Sequence, residues 1–233
     1  MLKTQPQRIL EVIACSVTDA VEAEKGGADR LEVITSFDRD GFTPPIELVR
    51  QIIDSVSLPL RVMVRETEEF TVTDAAIIER LCDAAQAFSR LPMDGLVLGF
   101  VRNSGIDVEL TRRILSHAPN LKATFHHAFE KVENPFDAID QLKDISQIDR
   151  ILTMGGREDW AQKIKMMEDY QRAAAPGIAV LAGGGLDRNV IKKICTSTDI
   201  REFHVGRAVR SPATADGAVQ SSLVKELVKL IKF

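Results

Sequence analysis

The chain has 233 residues, 45% hydrophobic and 27% charged, with a formal net charge of −4 at pH 7. That size suits one soluble domain with a full core, and the slight acidic excess gives no electrostatic support for nucleic-acid binding. No apolar stretch approaches the roughly 20 residues that cross a bilayer, and Met1-Leu2-Lys3-Thr4-Gln5-Pro6-Gln7-Arg8 lacks an apolar leader core, so a cytoplasmic protein with no membrane partner is expected.

Along the chain, short β-rich runs alternate with stretches of helical periodicity. A strand near Ile9–Ala14 leads to a helix over Val17–Lys25, which Ser16 can cap and Gly26-Gly27 stops. The next pairs are Arg30–Ile34 with Ile46–Ser55, Leu60–Val64 with Asp74–Phe88, and Leu96–Leu98 with Val108–Ser116. Lys122–Phe125 with Pro135–Ile145, Arg150–Thr153 with Asp159–Ala173, Ala179–Leu181 with Asp187–Ile194, and Glu202–Val205 with Gly217–Ile231 complete the series. Pro45 and Pro135 fit first-turn positions, and Asp74 can cap the third helix. Eight such units without a linker predict an α/β chain forming a single (β/α)8 TIM barrel over residues 1–233. An open doubly wound sheet would bring a glycine-rich first turn, and Ala14-Cys15-Ser16-Val17 has no glycine. The turn-rich loop from Ser36 to Pro44 follows the second strand, on the face where barrel enzymes carry their functional loops.

Charged residues interrupt strands that should be continuously apolar. Alternation puts Ile9, Glu11 and Ile13 on one face of the first strand, and Arg30, Glu32 and Ile34 on one face of the second. If both faces point inward, two carboxylates share a poorly solvated space and need cations. Arg65 and His126, at the ends of the third and fifth strands, are the candidates, with Arg30 pairing lower down. Glu32, Arg65, His126 and the deeper Glu11 therefore make a candidate acid–base cluster; the alternative is an ion-pair network that only fills the barrel. His127 must point away from His126, which argues against a two-histidine metal site there, and His204 is either a core residue or a site member.

Three strands end in glycine. Gly155-Gly156 follows the sixth, Gly183-Gly184-Gly185 the seventh and Gly206-Arg207 the eighth. Bare backbone N–H groups after strands seven and eight suit a small anionic ligand, with Arg207 or Arg210 adding charge. Tight βα turns would also use these glycines. Three cysteines, Cys15, Cys82 and Cys195, form no CxxC pair and give neither a disulfide framework nor a thiolate zinc site.

With Asp29-Arg30-Leu31-Glu32-Val33, Gly41-Phe42-Thr43-Pro44-Pro45, Val62-Met63-Val64-Arg65, Thr124-Phe125-His126, Asp149-Arg150-Ile151-Leu152-Thr153 and Gly183-Gly184-Gly185 in order, the sequence resembles the CutC family. That family is described as cytoplasmic copper-homeostasis proteins with a TIM-barrel fold, and the resemblance runs from about Leu10 to about Val205. It implies copper as a ligand, and it places Glu11, Glu32, Arg65 and His126 in the polar cluster of the family's barrel mouth. Cysteines proposed to bind copper in some members fall, on strand parity, at Ile13 and Ile34, leaving Cys15, Met63 and Met154 as other soft donors. The family's Arg-Pro-Arg-Gly-Gly-Asp-Phe loop is here Arg65-Glu66-Thr67-Glu68-Glu69-Phe70, and the arginine that follows its histidine is here His127. Val205-Gly206-Arg207-Ala208-Val209 is also similar to the phosphate-gripping end of sugar-phosphate barrels such as hexulose-phosphate synthases.

Three functions follow as alternatives: a copper-handling protein, an enzyme acting on a small phosphorylated or carboxylated metabolite by Glu/His acid–base chemistry, or a silent scaffold. An exposed apolar patch would mark the face of a homodimer, and periodicity alone identifies none.

Overall fold

The computed structural model describes residues 7–232, so most of the opening segment read for a leader lies outside the described residues. Eight parallel strands form its centre: β1 (Ile9–Ala14), β2 (Arg30–Val33), β3 (Leu60–Met63), β4 (Gly95–Leu98), β5 (Lys122–Phe125), β6 (Ile148–Thr153), β7 (Ala179–Ala182) and β8 (Glu202–Val205). Each pairs with the next, and β8 closes on β1 through Ile9 beside Glu202 and Glu11 beside His204. Around them lie α1 (Val17–Gly26), α2 (Ile46–Ser55), α3 (Ala75–Phe88), α4 (Val108–Leu115), α5 (Pro135–Lys143), α6 (Trp160–Ala174), α7 (Arg188–Ser197) and α8 (Ser221–Lys232). The structure is therefore the (β/α)8 TIM barrel that the strand–helix alternation predicts.

Local signals set these boundaries. Ser16 accepts the Asp19 N–H at the start of α1, and Gly27 ends that helix at φ 90°, where a side chain would be strained. Asp159 and Asp187, expected as first helical residues, instead stand outside α6 and α7 and accept N–H groups of the first turn. Pro45 likewise precedes α2 rather than opening it. The last helix begins later than expected, because Ala218–Val219 pairs with Arg210–Ser211 and the Val219 N–H donates to Asp19 Oδ1 at 3.2 Å. A second unexpected hairpin, Val101–Arg102 with Gly105–Ile106, follows β4.

Two interiors result from strand alternation. Leu10, Val12, Leu31, Val33, Val62, Leu96 and Phe125 point outward and join the helices in the main apolar core, each 0% exposed. Residues of the opposite parity fill the barrel itself. Its upper part has an apolar cluster of Ile13, Ile34, Phe37, Met63 and Val97, while its lower part is charged. No helix among the described residues is long and apolar enough to cross a membrane.

Candidate functional site

The charged floor is one connected network. Arg61 is 0% exposed; its Nη1 and Nη2 donate to Asp149 at 2.6 and 2.8 Å and its Nε donates to Asp94 at 2.7 Å. Arg150 links Asp149 to Glu202, and Arg30 links Glu202 to Glu11. Buried charges lose much of their hydration, so each must be matched by hydrogen-bonded opposite charge. The chain of alternating carboxylates and guanidinium groups does this up to Glu11.

Above Glu11 the network reaches an imidazole. His204 Nδ1 donates to Glu11 Oε1 at 2.7 Å, and His204 Nε2 lies 3.6 Å from Glu32 Oε2. Burial would raise the pKa of Glu11, but the charge of Arg30 and the hydrogen bond from His204 outweigh it and hold Glu11 far below the usual carboxylate range. Glu32 behaves oppositely: burial, opposed by the nearby His204 charge and reinforced by that of Glu11, pushes its pKa up to about 7. For His204, burial favours the neutral ring, yet Glu32 and Glu11 together raise its pKa above the ordinary value. Two carboxylates with such different proton affinities on one imidazole can divide the roles of holder and acid–base group.

Glu32 opens into a cavity of about 820 Å³ at the C-terminal mouth of the barrel. His126, His127, Arg65, Gly184 and Arg207 border the same space, and Ile13, Ile34, Met63 and Leu152 give it an apolar wall. Three buried polar atoms of its lining have no protein partner: Glu32 Oε1, His126 Nε2 and His127 Nδ1. Such atoms are costly unless water or a ligand satisfies them.

His126 is held by its neighbours. Its Nδ1 accepts the Ala128 N–H at 3.2 Å, so in the neutral ring Nε2 carries the proton. Gly99 leaves room for it, since a Cβ there would lie 2.6 Å from Nδ1, and Phe70 packs on its ring. Burial, then the charges of Arg65 and His127, keeps its pKa well below the ordinary 6.5. His127, lowered to about 3 by burial and by His204 and Arg65, is also neutral.

The glycine-ended strands differ in what they hold. After β6, the carboxylate of Glu130 accepts from Thr153 Oγ1, the Met154 N–H and the Gly156 N–H, so an internal anion already fills that turn. After β7, Gly184 and Gly185 adopt φ +77° and +90°, and their N–H groups donate to no other group among the described residues. Gly183 differs, since its N–H donates to the Thr153 carbonyl at 2.9 Å. Gly206 gives Phe37 and Ile13 space to pack. Arg207 is exposed above the Phe37 ring, 4.9 Å from its centroid, and Arg157, also exposed, lines the same cavity. Arg210 is buried by contrast and donates to Asp19, Ile13 and Gly217.

Of the sequence-derived cluster, Glu11 and Glu32 share His204, and His126 joins Glu32 on the cavity wall. Arg65 does not pair with either carboxylate: its guanidinium donates to the carbonyls of Thr67, Glu68, Arg39, Asp40 and Gly41, tying the β2 and β3 loops together between Phe42 and Phe70. The group the two carboxylates share is His204, and Arg30 pairs with Glu11 from below as expected. One signal for it was available: closing strand eight on strand one puts His204 beside Glu11 with the same parity. His127 also reaches the cavity, because it begins a short 3-10 helix (His127–Lys131) rather than continuing the strand.

Fold and site together define a closed (β/α)8 barrel whose mouth combines a buried carboxylate–imidazole–carboxylate chain with unused backbone donors. The sequence profile of the CutC family matches residues 8–209, and the chain belongs to that family. A family protein CutC of Parabacteroides distasonis is 33% identical over 202 residues, which cover 85% of this chain and 82% of the relative. The human copper homeostasis protein cutC homolog is 31% identical over 198 residues, covering 84% of this chain and 72% of its own. A crystal structure of a copper homeostasis protein CutC from Streptococcus agalactiae superposes with a TM-score of 0.78 at 24% identity, over 86% of this chain and 98% of that one.

Proposed function

We propose that this CutC-family barrel binds a small phosphorylated or carboxylated metabolite at its mouth and acts on it by acid–base chemistry through Glu32 and His126. The observation that carries this reading is the set of partnerless buried atoms, Glu32 Oε1, His126 Nε2 and His127 Nδ1, in one cavity with the unused Gly184 and Gly185 N–H groups. Arg207 and Arg157 supply positive charge at the same rim. Thermal-shift titration with inorganic phosphate and glycerol 3-phosphate tests it, since a ligand of the native state raises apparent stability with its concentration. Unchanged melting at high concentrations of both would sink the anion site.

Copper handling is the second reading, favoured by the name of the human relative and by the Streptococcus agalactiae structure. The donors of this chain fit it poorly. Ile13 and Ile34 stand on the cavity wall, and among the described residues no three His, Cys, Asp or Glu side chains are grouped to hold a metal ion. Burial pushes the Cys15 thiol up to about 11, and Arg210 lies 3.6 Å from its sulfur. Cu(I) titration under reducing conditions decides: binding that survives replacement of Cys15, Cys82 and Cys195 by serine would rule out a thiolate site. We place the protein in the cytoplasm, consistent with its three free cysteines.

A further inference from the structure

Glu32 and His126 both line the cavity and each holds a buried group without a protein partner, a carboxylate oxygen that accepts and a ring N–H that donates. The His126 tautomer is fixed by geometry, because Nδ1 faces the Ala128 N–H and can only accept. A neutral imidazole so held can polarise a carbonyl, while a nearby carboxylate removes the proton on the adjoining carbon. The cavity lining contains no serine hydroxyl or cysteine thiol among the described residues, so it offers neither of the usual nucleophiles for acyl transfer. At the rim, two backbone N–H groups with Arg157 and Arg207 suit a doubly charged phosphate.

From this arrangement we infer that the mouth catalyses proton transfer between adjacent carbons of a small phosphorylated α-hydroxy aldehyde or ketone, with Glu32 as base and His126 as neutral donor to the carbonyl oxygen. The inference rests on the anion-binding, acid–base reading above and adds the reaction and substrate class. The C–H bond beside the carbonyl breaks and its proton passes to Glu32 Oε1. The electron pair left behind forms a C=C bond as the carbonyl π pair moves onto oxygen. His126 Nε2 gives its proton to that oxygen and takes one from the neighbouring hydroxyl. Glu32 then returns its proton to the other carbon, completing an aldose–ketose exchange that consumes no oxidant, reductant or water.

Glu11 and His204 have a positioning role. The groups facing Glu32 are His204, Glu11 and Arg30, and those facing His126 are Arg65 and His127. The Glu11–His204 pair orients one oxygen of Glu32 and leaves Oε1 to the substrate.

Solvent exchange tests the inference. The protein is incubated in D2O with glyceraldehyde 3-phosphate, erythrose 4-phosphate or ribose 5-phosphate, and loss of the C–H signal next to the carbonyl is followed by proton NMR. Glycerol 3-phosphate, which has no such acidic proton, reports binding alone by thermal shift. Exchange with at least one sugar phosphate is expected, with its rate rising with pH as Glu32 ionises. Glu32→Gln and His126→Phe should each lose roughly 10²–10⁴-fold in rate, while glycerol 3-phosphate, held at the rim, still raises their melting temperature. Glu32→Asp, which keeps the acid but withdraws it, should retain part of the rate and covers the case of a Gln variant that does not fold. Binding of glycerol 3-phosphate without exchange of any probe overturns this inference and leaves the anion reading standing. Absence of both binding and exchange overturns the two together, and exchange that persists in Glu32→Gln overturns the assignment of the base.

Discussion

His204 bridges the two carboxylates of the barrel interior, donating to Glu11 Oε1 at 2.7 Å and facing Glu32 Oε2 at 3.6 Å. The two contacts are unequal, and so are the proton affinities that result. Glu11 lies at the top of the ion-pair network with Arg30 beneath it, whereas Glu32 lies on the cavity wall with one buried oxygen that has no protein partner. The same buried space thus stabilises one charge and penalises the other.

Glu32→Gln is expected to stabilise the protein in mild alkali. Because the folded-state pKa is raised from 4.5 to about 7, the native protein binds more protons than the unfolded chain between those values, and stability falls as pH rises through them. Replacing the carboxyl with an uncharged amide removes that loss. By urea denaturation the variant should exceed the parent by on the order of 1–3 kcal/mol at pH 8 and match it near pH 4.5. A variant no more stable at pH 8 would show that His204 offsets the whole cost of burial.

Arg30→Met should do the reverse. It removes the guanidinium shared by Glu11 and Glu202, which are 1% and 8% exposed, and leaves Glu11 with His204 alone and Glu202 with Arg150 alone. Breaking one partner from a buried ion pair costs about 3–5 kcal/mol. Glu11, whose pKa is depressed in the folded parent, contributes stability that is full above the unfolded carboxylate value of 4.5 and is lost progressively as pH falls below it. Without Arg30 that depression weakens, so the deficit measured at pH 7 should persist to pH 5 and shrink only below pH 4.5, as the parent loses what Arg30 gave Glu11. A deficit that stays constant below pH 4.5 would mean that the loss is one of packing.

The barrel was legible because each strand is a short apolar run ended by a turn residue, and that information is local. Glu11 and Glu32 stood out for the same reason, as charges inside such runs. Their partners were not local. Arg61, Asp149, Arg150 and Glu202 find one another only when eight strands close, and Arg61 joins Asp149 over a sequence separation of 88 residues. Arg65 does border the cavity, but its expected pairing with the carboxylates fails because its hydrogen bonds go to carbonyls of two loops whose course no periodicity encodes. The glycine-ended strands were visible as a class, but which turn was already filled depended on Glu130, a residue outside every strand.

Glu130→Gln is expected to loosen the β6 turn. The carboxylate accepts from the Met154 N–H at 2.8 Å, the Gly156 N–H at 3.2 Å and the Thr153 hydroxyl. An amide supplies one acceptor oxygen and turns its NH2 donors toward other donors, at a cost of about 1–3 kcal/mol. Hydrogen exchange of residues 154–156 should accelerate with little change in α2, on the far side of the barrel. Unchanged protection at Gly156 would show that the turn is held by its backbone conformation alone.

Arg207→Gln separates ligand binding from folding. The side chain is exposed and its described contact is with the Phe37 ring, so the change in stability should stay within about 0.5 kcal/mol. A charge-assisted hydrogen bond is worth about 1.5–3 kcal/mol, so phosphate affinity should fall by at least about tenfold, and its dependence on salt should weaken with it. Lys225→Gln, on the exposed face of α8, removes the same charge far from the mouth and controls for a general field effect. Equal losses in the two variants would place the attraction in net charge; a loss confined to Arg207→Gln would place it at the turn after β8, which lines the same cavity as the free N–H groups of Gly184 and Gly185.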